Sequence, residues 1–123
     1  MRILIVDDSK AMRMIVARTL RQAGYGGAEI REAENGAEAL TTIRSEAPDL
    51  ILCDWNMPAM TGIELLSTLN REGPRIRFGF VTSEGTDSMR ERARQEGALF
   101  LIAKPFTAEH FGAALTPVLG APP

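Results

Sequence analysis

Short runs of apolar residues alternate along this chain with segments whose apolar residues recur at helical spacing. Four runs are continuous, as in strands that are covered on both faces of a sheet: Ile3 to Val6, Leu50 to Cys53, Phe78 to Val81 and Leu99 to Ala103. A fifth run, Ala28 to Ala33, contains three charged residues and predicts an edge strand.

Five segments between and after these runs predict helices. The first has four apolar side chains and a threonine at i, i+3, i+4, i+7 and i+8, which would form one helix face behind Ser9 as its N-cap: Met12, Ile15, Val16, Thr19 and Leu20. Three others are marked by Leu40, Ile43 and Ala47 before Pro48, by Gly62, Leu65, Leu66 and Leu69 before Gly73-Pro74, and by Ala108, Phe111, Leu115 and Val118. The remaining segment, Thr86 to Glu96, has only Met89 and Ala93 as apolar anchors, so we expect it to shift at low cost.

This alternation predicts an α/β fold with a doubly wound parallel sheet and helices on both faces, because parallel strands need crossover connections. The 123 residues suit one domain, which we place at 1–120, with a flexible tail at 121–123. Ligands of such open sheets bind beyond the carboxyl ends of the strands. The residues that directly follow each apolar run are therefore the candidate site.

The residues at these strand ends are acidic, hydroxylic and basic. Asp7 and Asp8 follow the first strand, Asp54 the third, Thr82 the fourth and Lys104 the fifth. Three converging carboxylates repel one another unless a cation compensates, and hard oxygen ligands suit Mg²⁺. Such a site can host phosphoryl transfer, with Asp54 as the nucleophile, Asp7 and Asp8 holding Mg²⁺, and Lys104 and Thr82 contacting the phosphoryl oxygens.

Each of these residues also has a structural interpretation. Asp8 could favour the positive end of a helix dipole, Lys104 could be a solvated charge, and Thr82 could cap the fourth helix. These residues lie together at the ends of four strands of one sheet, and this joint placement favours the functional interpretation.

The charge balance argues against nucleic acid and membrane partners. Fourteen basic and 16 acidic residues give a formal charge of -2, and basic residues form no long run. The single cysteine, Cys53, cannot form an internal disulfide, and we expect it to be a small buried strand residue. Asp7 and Asp8 end the first apolar run too early for the core of a signal peptide, so we expect a cytoplasmic protein.

Four segments carry a resemblance to a known family: Val6-Asp7-Asp8-Ser9, the nine residues from Asp54 to Gly62, Val81-Thr82-Ser83-Glu84, and Lys104-Pro105-Phe106. They resemble the receiver domains of two-component response regulators, most closely the single-domain, CheY-like chemotaxis type. The resemblance runs from Ile3 to Leu119 and implies five strands in the order 2-1-3-4-5.

The resemblance implies a role for each matched residue. Asp54 becomes the phosphoacceptor for a sensor histidine kinase, and Asp7, Asp8 and the backbone carbonyl of Asn56 become further Mg²⁺ ligands. Thr82 becomes the switch hydroxyl and Lys104 the phosphate-contacting lysine, followed by a cis peptide to Pro105. Asn56 and Glu84 become modulators of acyl-phosphate lifetime.

The resemblance also implies a signalling role. The chain would be a monomer that catalyses only its own phosphorylation and dephosphorylation. Phosphorylation would switch a protein output surface on the fourth helix, fifth strand and fifth helix, and Trp55-Asn56-Met57-Pro58 favours a motility partner such as the flagellar motor switch.

One position departs from the family pattern. The aromatic switch residue three positions before the lysine is replaced by Leu101, and the neighbouring Phe100 points to the opposite face of its strand. We interpret Phe100 as core packing, Trp55 as half-exposed beside Asp54, and His110 as a surface residue.

Other functions on this architecture are less well supported. A flavin or nucleotide binder needs a phosphate-cradling loop, and Gly24-Tyr25-Gly26-Gly27 is better interpreted as a helix stop and turn. A metal-dependent phosphatase with an aspartyl nucleophile needs a lid over its substrate, for which 123 residues leave little room. Among receivers, a phosphorelay intermediate or kinase regulator remains an alternative output.

Overall fold

Five parallel strands form one sheet in this computed structural model, which describes residues 1–73 and 75–122. The strands are β1 (Arg2–Val6), β2 (Glu29–Ala33), β3 (Leu50–Cys53), β4 (Arg77–Thr82) and β5 (Phe100–Ala103). Their order is β2-β1-β3-β4-β5, and every neighbouring pair is parallel. The doubly wound topology and the edge position of β2 are therefore confirmed.

A helix follows each strand, so that four helices connect successive strands and the fifth follows the last one. The helices are α1 (Lys10–Leu20), α2 (Gly36–Ser45), α3 (Gly62–Glu72), α4 (Asp87–Gln95) and α5 (Ala108–Leu119). Each begins behind a side-chain cap that accepts a hydrogen bond from a backbone amide of the first turn: Ser9, Asn35, Thr61, Thr86 and Thr107. These caps satisfy amides that have no partner within the helix, so the sequence sets where each helix starts.

The turn after α1 needs glycine. A single π-helical turn, Arg21–Tyr25, follows α1, and Gly24 within it has a φ of 99°. That backbone conformation disfavours residues with a Cβ, so Gly24 ends the helical segment. This agrees with a helix stop and turn rather than a phosphate loop.

The two faces of the sheet carry separate apolar clusters. Residues of α2, α3 and α4 cover one face, and residues of α1 and α5 cover the other. Side chains of β1 alternate between them, with Leu4 and Val6 in the first cluster and Ile3 and Ile5 in the second. Both faces of the sheet are thus covered, and its carboxyl ends remain free to form a site.

Three expectations for the apolar residues are wrong. Ile15 is 47% exposed, because α1 shares its face of the sheet with α5 and buries only the narrow stripe through Val16, Thr19 and Leu20, with Met12 and Ala17 partly covered beside it. Ala47 is exposed and lies beyond α2, since the following Pro48 disfavours helical backbone at the residue before it.

The third concerns β5, the edge strand that the order 2-1-3-4-5 implies, which packs against both apolar clusters but is less completely buried than its continuous apolar run predicts. Leu99 is exposed and precedes it, and Ile102 is its one buried residue, the other three being partly buried. An edge strand has a neighbour on one side only, so its apolar residues are less completely covered.

The remaining helices follow the pattern that the sequence predicts. In α4, Ala93 is buried and Met89 packs partly against the core, and α3 ends at Glu72 before Gly73. Pro74, expected to help end α3, and Pro123 of the expected tail lie outside the described residues. Over the described ranges we find no helix long and apolar enough to cross a membrane.

Candidate functional site

Three carboxylates meet at the carboxyl ends of β1 and β3. These strands pair with Val6 opposite Cys53, so Asp7 and Asp54 leave the sheet side by side. Asp7, Asp8 and Asp54 each offer an oxygen within 4.8 Å of the other two; Asp7 and Asp54 are buried, and Asp8 is exposed. Hard oxygen donors of this kind, without His or Cys, suit Mg²⁺. The acidic cluster is therefore compatible with a Mg²⁺ site.

Lys104 places its ammonium group against this cluster. Its Nζ lies 3.5 Å from Asp7 Oδ2 and 3.9 Å from Asp54 Oδ1, and its side chain is only 17% exposed. The backbone amide of Lys104 donates to the carbonyl of Thr82, and the peptide to Pro105 is cis, as expected. The structural alternative of a solvated Lys104 is therefore wrong.

The Asp54 carboxyl is held in an environment that disfavours its charge. Burial raises the pKa of Asp54, and the neighbouring Asp7 charge raises it further, while Lys104 opposes both effects. The opposing charge of Lys104 does not fully cancel the desolvation. Any further cation or hydrogen-bond donor near Asp54 would therefore stabilise its ionised form.

We expect Asp54→Asn to raise the stability of the metal-free protein at neutral pH. An acid whose pKa is higher in the folded state destabilises the fold once ionised, and this loss sets in as the pH rises from the unfolded pKa through the folded one. The urea midpoint of the variant should exceed that of the wild type at neutral pH, and the gap should close on acidification. A gap that widens on acidification would contradict this account.

Thr82 brings a buried hydroxyl to the same edge. Among residues 1–73 and 75–122, its Oγ1 finds no hydrogen-bond partner of normal geometry, although it lies near enough to Asp54 to favour the ionised carboxylate. A buried donor without a partner costs about 1–3 kcal/mol, so an oxygen-rich ligand at Asp54 would be favoured. The alternative that Thr82 caps α4 is wrong, since Thr86 does so.

The loop after Asp54 is tightly folded, and Trp55 is buried within it. Trp55 was expected to be half-exposed, but it is 8% exposed and its ring centroid lies 4.7 Å from that of Phe80. The Gly62 amide donates to the Trp55 carbonyl at 2.8 Å and so ties the start of α3 to the start of the loop. A Cβ at Gly62 would collide with the Asp54 carbonyl and lie 2.9 Å from the Phe80 ring, so only glycine fits.

Ala59, in the same loop, has a left-handed backbone. Its φ is 67°, and the Met60 amide donates to the Pro58 carbonyl across it at 2.7 Å. We expect Ala59→Gly to raise the free energy of unfolding by about 0.5–1 kcal/mol, because the strain of an L-residue there exceeds the entropy cost of glycine. Urea denaturation measures the change.

The matched control is Ala113→Gly at an exposed position inside α5. It should lower stability by about 1 kcal/mol, the usual cost of glycine in a helix. A loss of stability in both variants would refute the assignment of strain to Ala59.

Leu101 and Phe100 point to opposite faces of β5. Leu101 packs partly against the cluster under α2, α3 and α4, whereas Phe100 packs against the other cluster and its ring covers Gly79. The interpretation of Phe100 as core packing agrees with this placement. Asn56 and Glu84 are exposed, at the ends of β3 and β4 respectively.

Ser9 and His110 each make a hydrogen bond that the sequence did not predict. The Ser9 amide donates to Asp7 Oδ1 at 2.9 Å, so Ser9 orients a carboxylate in addition to capping α1. His110 is exposed, as expected, and its Nδ1 accepts from the Thr107 amide in a capping box. Hydrogen bonds of this kind depend on loop geometry and leave no periodic signal in the sequence.

The chain is similar to chemotaxis proteins over almost its full length. It is 37% identical over 118 residues to the chemotaxis protein CheY of Bacillus subtilis, covering 96% of this chain and 97% of that protein. It is 39% identical over 112 residues to the chemotaxis protein CheY of Pseudomonas aeruginosa, covering 89% and 88% respectively.

Solved structures agree with this similarity. The chemotaxis protein CheY4 of Vibrio cholerae superposes with a TM-score of 0.82 at 32% identity, covering 96% of this chain and 98% of that one. Residues 3–116 match the family model of the response regulator receiver domain. Fold, acidic cluster and sequence similarity thus agree, and the chain belongs to the response regulator receiver domain family.

Proposed function

We propose that this chain is a cytoplasmic, monomeric response regulator whose Asp54 accepts a phosphoryl group from a sensor histidine kinase. The observation that carries the proposal is the arrangement around Asp54: two further carboxylates within 4.8 Å and the Lys104 ammonium 3.9 Å away. A carboxylate nucleophile needs charge compensation on both sides, and this arrangement provides sites for it. Membership of the receiver family supports the same conclusion.

The chemistry is a displacement at phosphorus. An Asp54 oxygen forms a bond to the phosphorus of a phosphohistidine, the phosphorus–nitrogen bond breaks, and the imidazole nitrogen leaves with the electron pair. Asp7, Asp8, Asp54 and the carbonyl of Asn56 would hold Mg²⁺. When bound, that ion neutralises negative charge on the phosphoryl oxygens.

Lys104 and Thr82 would contact the oxygens of the phosphoryl group. The Lys104 ammonium, already held against Asp7 and Asp54, stabilises the charge on the phosphoryl oxygens. The Thr82 hydroxyl, a buried donor, would hydrogen-bond to one of those oxygens and so sense phosphorylation. Asn56 and Glu84, exposed at the rim, would modulate how fast water reaches the acyl phosphate. The chain needs no outside substrate beyond its phosphodonor.

The output surface would lie on α4, β5 and α5, where Leu101 replaces the aromatic switch. Here α4 is joined to β5 by Arg90, which donates to the carbonyl of Leu101 at 3.0 Å and to that of Gly85 at 3.3 Å. A movement of the loop after Thr82 would therefore reach the β5 main chain through the Arg90 side chain, without a rotating ring. The names of the CheY relatives support an output in chemotaxis, and the partner that we propose for it is a flagellar motor switch.

Complementation tests the proposed output. In a chemotactic bacterium that lacks its own single-domain receiver, the wild-type chain should restore spreading through soft agar, and Asp54→Asn should not. If the wild-type chain takes up phosphate but fails to restore spreading, the alternative gains support: a phosphorelay intermediate or kinase regulator. Transfer of the phosphoryl group onward to a histidine phosphotransfer protein would identify the relay role.

A further inference from the structure

Arg13 extends from α1 to the turn that carries the acidic cluster. Its Nη1 donates to the backbone carbonyl of Asp7 at 2.7 Å, and its Nε donates to Glu32 Oε1 at 2.8 Å. The Arg13 side chain is only 12% exposed, whereas the next residue on the helix, Met14, is 61% exposed. The guanidinium is therefore directed inward by specific partners rather than solvated.

Hydrogen bonds to the backbone hold the peptides on both sides of Asp7, and Arg13 holds the one between Asp7 and Asp8. The Asp7 amide donates to the Ala33 carbonyl at 3.1 Å, and the Asp7 carbonyl accepts from Arg13. The Asp7 side chain is held separately by the Ser9 amide. A peptide held at its carbonyl cannot rotate freely, so the backbone from which the exposed Asp8 side chain departs has a defined direction.

Glu32 orients the Arg13 guanidinium towards the Asp7 carbonyl. It lies on the edge strand β2, opposite Ile5 of β1, and its own side chain is 47% exposed. Because the Glu32 carboxylate is half-exposed and screened by solvent, its ion pair with Arg13 contributes little to stability by itself. Its geometric effect is larger, because the planar fork of Arg can bind Glu32 through one nitrogen and the Asp7 carbonyl through another.

We propose that Arg13 is a positioning residue for the acidic cluster. Its guanidinium, oriented by Glu32, holds the Asp7–Asp8 peptide so that the Asp8 carboxylate faces Asp54. This inference rests on the proposed function of the cluster as a site for a divalent cation and a phosphoryl group. Groups that hold ligand-bearing segments in place typically change metal affinity about 10- to 100-fold when they are removed.

Titration with Mg²⁺ alone tests the proposal, with the fluorescence of Trp55, which directly follows Asp54, as the readout. Arg13→Ala should weaken Mg²⁺ binding about 10- to 100-fold, and Arg13→Lys should not restore it, because an ammonium group lacks the fork. Glu32→Gln, which keeps an acceptor oxygen, should weaken binding less than Arg13→Ala does. Arg18→Ala, at an exposed position on the same helix, should bind like the wild type.

The outcomes separate positioning from structural stabilisation and from the proposed function. Urea denaturation without metal identifies conditions in which every variant is folded, and the affinities are compared there. If folded Arg13→Ala binds Mg²⁺ within about twofold of the wild type, or Arg13→Lys restores affinity in full, the positioning role is refuted. If the wild type binds no Mg²⁺, the proposed function fails as well.

Discussion

Lys104→Met is expected to slow phosphoryl uptake by Asp54 about 100-fold, the usual effect of removing one fixed electrostatic partner from a reacting group. The ammonium group lies within 4 Å of both Asp7 and Asp54, so its loss leaves two buried carboxylates without their nearest cation. An incoming phosphoryl group would then meet uncompensated negative charge. Rates of uptake from a small phosphodonor with Mg²⁺, followed by intact-protein mass, measure the effect.

Lys10→Met provides the matched control. Lys10 is the other lysine of the chain and is exposed at the start of α1. Its replacement removes the same charge and should change uptake less than about threefold, since exposed charges are largely screened. Equal slowing in the two variants would show that net charge, rather than the position of Lys104, controls the reaction.

Phe80→Ala is expected to lower the free energy of unfolding by about 3–5 kcal/mol, a large part of the total stability of a small domain. Phe80 is fully buried, and its ring centroid lies 4.7 Å from that of Trp55 and 5.1 Å from that of Phe78. Removing the ring leaves a cavity beneath the loop that follows Asp54. Urea denaturation followed by circular dichroism gives the value.

Leu99→Ala serves as the comparison, because Leu99 is an apolar residue that is 52% exposed. Its replacement should change stability by no more than about 0.5 kcal/mol. A loss below about 1 kcal/mol for Phe80→Ala would show that the cluster around Trp55 does not support the site.

The sequence was sufficient to predict the parallel sheet and the meeting of the acidic residues. Both follow from simple regularities: continuous apolar runs indicate strands, and parallel strands bring their carboxyl ends to one edge. Asp7, Asp54, Thr82 and Lys104 each directly follow or end such a run, so their convergence depends only on the order of strands. The order itself came from the family resemblance.

Trp55 shows what this reasoning could not predict. A residue just beyond a strand end is expected at the surface, but Trp55 is buried against Phe80, and its carbonyl accepts a hydrogen bond from the Gly62 amide. Contacts of this kind depend on the path of a loop, which has no periodic pattern. The prediction that Ile15 is buried was wrong for a related reason. Helical spacing identifies the apolar face of a helix but not how much of that face the neighbouring elements cover.

Arg13 illustrates the same limit at the site. In the sequence it is one basic residue among many on predicted helices, and its contact with the Asp7 carbonyl becomes visible only when α1 is packed beside β1 and β2. Leu101, in contrast, could be identified from sequence as a departure from the family, although its consequence for output depends on contacts such as those of Arg90.

The most direct test of the central claim is the intact mass of the protein after incubation with a small phosphodonor and Mg²⁺. The wild type should gain the mass of one phosphoryl group, and Asp54→Asn should gain none, while circular dichroism shows that both are folded. Equal gain by the variant would place the phosphoryl group elsewhere. A wild type that gains no phosphoryl mass would contradict the assignment of Asp54 as the phosphoacceptor.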